Sequence, residues 1–171
     1  MKTVKNMIIK KQGMAKISAK KLAYYILARL GPMEHLKIHK LIYYVEAYHL
    51  AYFELSLIEE DFQAWVHGPV VLPVWIEIKS IANVYDAVKL SKVAEKEAID
   101  FINKNLTESQ VQVVNDILEE FGSKSAYELE CLTHIEDPWI KARKGLPADQ
   151  HGKTIISKNE IMKYYKTKLH S

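Results

Sequence analysis

The segment from Met33 to Phe53 limits the fold more than any other part of the chain. Its apolar residues recur at helical spacing and cover most of the circumference of a helix; they are Leu36, Ile38, Leu41, Ile42, Val45, Tyr48, Tyr52 and Phe53. A helix that is apolar on nearly all sides is covered by neighbours on several of them. The sequence therefore predicts a central helix over 33–53 with other elements packed around it.

Helix start and stop signals divide much of the remaining chain into further helices. Ser18 suits the N-cap of a helix that ends at Gly31-Pro32, and Pro73 suits the first turn of another. Asp137-Pro138 matches an N-cap followed by proline, which predicts a short helix that ends before Gly145. Three segments match the capping box, in which the cap and the third helical residue satisfy backbone amides; they are 107–110, 125–128 and 157–160.

Two stretches lack a clear helical pattern. Residues 62–67 are compatible with a short extended segment, and 67–70 then form a rigid turn, because Gly68 precedes a proline and avoids the helical region. Between 83 and 106, a short strand over 88–93 and a short helix over 94–103 are both compatible with the sequence. The fold class predicted is all-α: a compact single-domain helical bundle around the central buried helix, with room for one short β segment or hairpin.

Length and charge indicate one domain behind a basic extension. The 171 residues suit a single domain, which we place at 17–169, and we expect the extension over 1–16 to be flexible. Eight of the 24 basic residues and none of the 21 acidic ones lie in residues 1–33, so 34–171 carry a net charge of −5. A basic segment attracts nucleic acid or an acidic surface, but the extension lacks aromatic residues for base stacking. We interpret it as a solvated segment.

The single cysteine and the apolar pattern indicate the compartment. Cys131 has no second cysteine with which to form an intramolecular disulfide, which is typical of a reducing compartment. The longest uncharged run, 62–76, is too short to span a membrane and is interrupted by glycine and proline. The amino terminus also lacks the apolar segment of a secretory signal. We expect a cytoplasmic protein without a membrane partner.

Two groups of residues suggest chemistry, and for both the structural interpretation is favoured. His35 and His39 share a helix face and would supply two metal ligands, with a third from the other histidines, His49, His67 or His134, but no H-E-x-x-H motif is present. Cys131 and His134 lie three residues apart, but no nucleophile signature surrounds them, so Cys131 is predicted to be a small buried hydrophobe. No nucleotide-binding or hydrolase motif occurs. We predict no catalytic residue, no cofactor and no metal, and therefore a protein that is not an enzyme.

Two tryptophans lie beside predicted turns that contain proline. Trp65 precedes Gly68-Pro69, and Trp139 follows Asp137-Pro138. Either ring is a candidate anchor for a partner, since tryptophan is enriched among the residues that dominate binding energy. Tryptophans also bury most of their area in folded proteins. The prediction is that both are scaffold rather than binding residues.

Several segments, taken in order, resemble a known family. They are residues 23–27, 36–44, 62–70 and a distal group with Leu132-Thr133-His134, Pro138-Trp139 and Ala142-Arg143. Together they resemble the Panacea domain, the SocA-like antitoxin family that includes phage-associated proteins, over residues 18–168. The block A-W-x-x-G-P-V over 64–70 combined with L-T-H and P-W is the specific part of the resemblance.

The resemblance implies a small helical antitoxin that is encoded beside an unrelated toxin and neutralises it by direct binding. The founding member is also similar to an adaptor that delivers its toxin to a cytoplasmic protease. The residues that match the family motifs, as scaffold or as partner-binding residues, are Lys37, Lys40, Leu41, Tyr43, Tyr44, Ala64, Trp65, His67, Gly68, Pro69, Val70, Leu132, Thr133, His134, Pro138, Trp139 and Arg143.

The function predicted from the sequence is that of an antitoxin whose partner is a cognate protein toxin. The lysine-rich extension before Ser18 departs from the family, which does not need it. It supports the alternative prediction, a phage or mobile-element protein that binds nucleic acid through its basic amino-terminal segment. The resemblance implies no catalytic residue.

Overall fold

The computed structural model describes residues 13–82 and 86–169. Within them most residues are helical. In chain order the helices are α1 (Ala19–Leu30), α2 (His35–Phe53), α3 (Leu72–Ile81), α4 (Lys92–Asn105), α5 (Glu108–Phe121), α6 (Ala126–His134), α7 (Asp137–Ala142) and α8 (Lys158–Lys168). The predicted mainly helical fold class is confirmed. None of the described helices is both long enough and apolar enough to cross a membrane.

The central helix α2 organises the core. It packs against α1, α5, α6 and α8, and its buried residues include Ile38, Leu41, Ile42 and Val45. This confirms the central helix predicted from the sequence, although it begins at His35 rather than at Met33. The two preceding residues form a short strand instead.

Short strands build two small antiparallel sheets among the described residues. The strands are β1 (Met33–Glu34), β2 (Phe62–Trp65), β3 (Gly68–Val70), β4 (Ala87–Val88) and β5 (Ile155–Ile156). One sheet pairs β1 with β4, and the other has the order β3-β2-β5. The β-structure is therefore more extensive than the single segment or hairpin that the sequence was predicted to accommodate.

The hairpin β2–β3 corrects the predicted turn over 67–70. Trp65 faces Gly68 across the hairpin, so the turn consists of Val66 and His67, and Gly68 already belongs to β3. Gly68 has a φ of 99°, a conformation that strongly favours glycine. Pro69 lies on an edge strand, where its missing N–H costs the sheet little.

Helix caps follow the sequence signals in part. Ser18 accepts a hydrogen bond from the amide of Lys21, and the capping boxes at Thr107 and Ser125 are complete. The third predicted capping box is incomplete. Ser157 accepts a hydrogen bond from the amide of Glu160, as predicted, but the carboxylate of Glu160 pairs with Lys141 and Lys163 instead of bonding the amide of Ser157.

The predicted Asp137 cap is also wrong. Asp137 is the first residue of α7, and Glu136 occupies the N-cap without capping through its side chain. Its carboxylate is used elsewhere, because it accepts hydrogen bonds from the hydroxyls of Tyr44, at 3.3 Å, and Tyr165, at 2.5 Å. Because Glu136 is engaged by these tertiary partners, its side chain does not cap α7.

The structure describes most of the ambiguous segment 83–106 and the last four residues of the basic extension 1–16. The segment after 82 contains both predicted parts, a strand reduced to Ala87–Val88 and a helix that begins at Lys92 behind the N-cap Ser91. Residues 83–85, and residues 1–12 of the predicted extension 1–16, lie outside the described residues. Met14 and Ala15 pack against the core, and Ala15 accepts a hydrogen bond from Gln110.

Glu136 makes the stability of the folded protein depend on pH. Burial raises its pKa to about 7, above the 4.5 of an exposed glutamate, so between these values the folded state binds more protons than the unfolded one. Stability due to this group therefore falls as the pH rises from about 5 to about 8. We expect Glu136→Gln to gain up to ~3 kcal/mol relative to wild type over that interval.

Denaturant unfolding of both proteins at pH 5 and pH 8 measures this gain. A difference between the two proteins that is the same at both pH values would contradict the expectation. The comparison removes the contributions of other titrating groups, because both proteins share them.

Candidate partner-binding cleft

A cleft of about 720 Å³ lies where the start of α2, the hairpin β2–β3, α3 and α6 meet. It contains aromatic, imidazole and carboxylate side chains together. The lining residues are Glu34, His35, Leu36, His39, Trp65, Val66, His67, Val70, Trp75, Glu130, Asp149 and His151. Five of the residues singled out from the sequence, Trp65, His67, Val70, His35 and His39, are brought together here.

The predicted pair His35 and His39 forms one wall. Their ring centroids are 5.1 Å apart, and His35 also stacks on Trp75 at 6.3 Å. Burial lowers the pKa of His35 and holds that of His39 well below the ordinary value, so both are neutral at pH 7. The amide of Val71 donates to Nδ1 of His39, which places the proton of that ring on Nε2.

The structure places the other candidate metal ligand His49 far along α2. Its Nδ1 bonds the carbonyl of Leu55 and its Nε2 meets Gln110, and burial lowers its pKa to about 4. Within residues 13–82 and 86–169, no three His, Cys, Asp or Glu side chains are arranged to hold a metal ion.

Behind the hairpin lies a buried lysine. Lys40 is fully buried and donates to the carbonyl of Pro69 at 3.2 Å; burial lowers its pKa to about 7, against the opposing effect of Glu130. A Cβ on Gly68 would lie 2.6 Å from Nζ of Lys40 and 2.8 Å from Oγ1 of Thr133. Glycine at 68 therefore permits both the hairpin turn and the close approach of this lysine.

Glu130 connects α6 to the hairpin. Its carboxylate lies 2.8 Å from Nδ1 of His67 and 3.9 Å from Nε2 of His134. The ring of His134 stacks on Trp139 at 4.1 Å, and burial lowers the pKa of His134. The distal L-T-H and P-W motifs thus meet the hairpin motif at this point.

Trp139 on α7 and Arg143, which directly follows α7, donate hydrogen bonds to the backbone of the hairpin. Nε1 of Trp139 donates to the carbonyl of Trp65 at 3.0 Å, and Nη1 of Arg143 donates to the carbonyl of Ala64 at 2.9 Å. Nη2 of Arg143 reaches three further carbonyls, at 2.8–3.2 Å, those of Pro147, Ala148 and Gln150. Arg143 therefore holds the loop that carries Asp149 and His151 into the cleft.

The remaining motif residues lie away from the cleft. Leu41, Tyr43 and Tyr44 are buried in the core on α2, and Pro138 is buried at the start of α7. Lys37 donates to the carbonyl of Gly122 at 2.8 Å, and Leu132 packs at the edge of the core.

The prediction that Cys131 is buried is wrong. Its side chain is exposed and interacts with Tyr127, whereas His134 turns to Trp139. The two residues of the suggested nucleophile pair thus have different partners. On α6, positions 127 and 131 are one turn apart on the exposed face, which explains the exposure of the thiol.

Sequence reasoning missed five lining residues that carry a carboxylate, an imidazole or an indole: Glu34, Trp75, Glu130, Asp149 and His151. Trp75 was predicted only as a helix residue, and the loop after Gly145 carried no motif. Arg143 is the one residue of the family motifs that bonds this loop, through the carbonyls of Pro147, Ala148 and Gln150.

Comparison with known families gives one match. The family described as antitoxin SocA-like, Panacea domain, matches residues 38–140. The matched region runs from α2 through the hairpin and α6 to the residue after Trp139. Comparisons with curated proteins and with solved structures gave no match.

Proposed function

This chain belongs to the SocA-like antitoxin family with a Panacea domain, and we propose that it neutralises its toxin by direct protein–protein binding at the cleft, without a catalytic step. An antitoxin role and a toxin partner follow from the family. The binding site and the mode of neutralisation are the proposal.

The observation that carries the proposal is the pair of tryptophans in the cleft. Trp65 and Trp75 are half-buried, with ring centroids 5.4 Å apart and an angle of 59° between the rings. Concave sites with accessible aromatic rings are where binding energy concentrates in protein interfaces. Leu72 and Ile76 lie one turn apart on α3, the helix that carries Trp75, and both side chains are exposed apolar surface.

Two backbone segments of the cleft wall are held by hydrogen bonds within the chain. Arg143 ties the loop with Asp149 and His151 to β2, and Lys40 holds β3 against α2. A site whose backbone is held in place loses less conformational entropy on binding. The cleft is thus suited to receive a short segment of a toxin.

Co-expression with the product of the neighbouring gene tests the proposal in a growth assay. We expect wild type to restore growth and Trp75→Ala to bind the purified toxin at least thirtyfold more weakly, about 2 kcal/mol, while its circular dichroism and melting temperature stay close to wild type. Cys131→Ala is the matched control, because this residue is exposed and does not line the cleft, and it is expected to restore growth fully.

Unchanged toxin binding by both Trp75→Ala and Trp65→Ala would contradict docking at the cleft. Measuring the toxin level separates direct inhibition from delivery to a protease: a toxin that is neutralised at constant abundance supports direct binding. Growth rescue that requires only residues 1–12 would favour the nucleic-acid alternative instead.

A further inference from the structure

We propose that the cleft recognises a basic side chain of the toxin, an arginine, which lies against the indole rings and pairs with carboxylates of the cleft. The inference rests on the proposed function, since it names the chemistry by which the same cleft selects its partner.

The first argument is the charge of the cleft. Three of its lining residues, Glu34, Glu130 and Asp149, are acidic, and none is lysine or arginine. His35 and His39 contribute no positive charge at neutral pH, because burial keeps both rings neutral. Even with Glu130 paired to His67, the carboxylates of Glu34 and Asp149 leave the cleft negative.

The second argument is the aromatic surface. Indole is the aromatic group that attracts cations most strongly. Nζ of Lys79 lies 4.5 Å from the ring centroid of Trp75, so an arginine of the toxin lies against Trp65 or displaces Lys79 from Trp75. Arginine suits such a site better than lysine, because its planar guanidinium stacks on aromatic rings and pairs with a carboxylate through two parallel hydrogen bonds.

Short peptides test the inference without the toxin. The probes are acetyl-Gly-Arg-Gly-amide and the same peptide with citrulline, which has nearly the same shape but no charge. Signals of the indole N–H groups of Trp65 and Trp75 report binding by NMR. We expect saturable shifts with the arginine peptide and at least tenfold weaker binding of the citrulline peptide.

Charge removal supplies the matched comparison. The double variant Glu34→Gln, Asp149→Asn is expected to bind the arginine peptide about tenfold more weakly. Glu119→Gln, which removes one exposed charge from α5 outside the cleft, is expected to bind as wild type does. Equal binding of the two peptides, or no effect of the double variant, would overturn the inference. So would an arginine peptide that binds only after residues 1–12 are deleted, because the chain's own lysines would then be the occupant.

The peptide and toxin-binding experiments distinguish failure of the arginine inference from failure of the proposed docking site. If Trp75→Ala abolishes toxin binding but the arginine peptide does not bind, the toxin docks in the cleft by other chemistry and only this inference fails. If the peptide binds but the tryptophan variants still bind the toxin, the proposed docking site fails, and the inference about the toxin fails with it.

Discussion

Replacing Arg143 by lysine is expected to lower the free energy of unfolding by about 1–3 kcal/mol, although the positive charge is kept. The guanidinium is buried and donates to four backbone carbonyls, those of Ala64, Pro147, Ala148 and Gln150. A lysine has three donors on one nitrogen and does not reach carbonyls on both sides of the site. Only the carbonyl of Ala64 belongs to a buried residue, and leaving it without a donor costs about 1–3 kcal/mol, whereas Pro147, Ala148 and Gln150 are exposed residues whose carbonyls water can reach.

Guanidinium chloride denaturation measures the loss, and Arg29→Lys is the matched control. Arg29 is exposed, so the same chemical change there is expected to stay within about 0.5 kcal/mol of wild type. Equal stabilities of the two variants would show that the loop does not depend on Arg143. Because this loop carries Asp149 and His151, we also expect Arg143→Lys to bind the toxin more weakly.

The parts of the fold that were predicted from the sequence are those determined by local physics. Apolar residues surround α2 on nearly all sides, so this helix is buried whatever its neighbours are. The hydroxyls of Thr107 and Ser125 accept hydrogen bonds from amides only three residues away. Where a distant partner competes, the local rule fails. The carboxylate of Glu160 pairs with Lys141 rather than completing its capping box, and Glu136 bonds two tyrosines in place of its own helix.

The residues of the candidate site also differ in whether the sequence could identify them. Trp65, His67 and Val70 were identified because they lie in one contiguous block of sequence. Trp75, Asp149 and His151 come from a helix and a loop that meet the hairpin only through tertiary packing. No spacing in the sequence connects position 151 to position 65, although their rings are 4.4 Å apart in the folded protein.

Trp139→Ala is expected to destabilise the protein by about 3–5 kcal/mol, whereas Trp65→Ala is expected to cost less stability and more binding. From sequence alone both tryptophans are predicted to be scaffold, but their contacts differ. Trp139 packs against the core and stacks on His134. Trp65 lines the cleft, and its Nε1 donates to the side chain of Gln63, two residues away on the same strand.

Removing the Trp139 ring leaves a gap between α7 and the hairpin and unpairs the carbonyl of Trp65, so toxin binding weakens because the fold is less stable. Trp65 is half-exposed in the cleft, so removing its ring enlarges the cleft and the loss appears in affinity, by about 2 kcal/mol or more. Unfolding and toxin affinity measured on the same two variants distinguish the roles. A Trp65→Ala protein as unstable as Trp139→Ala would make both rings scaffold and would leave Trp75 as the aromatic anchor for the toxin.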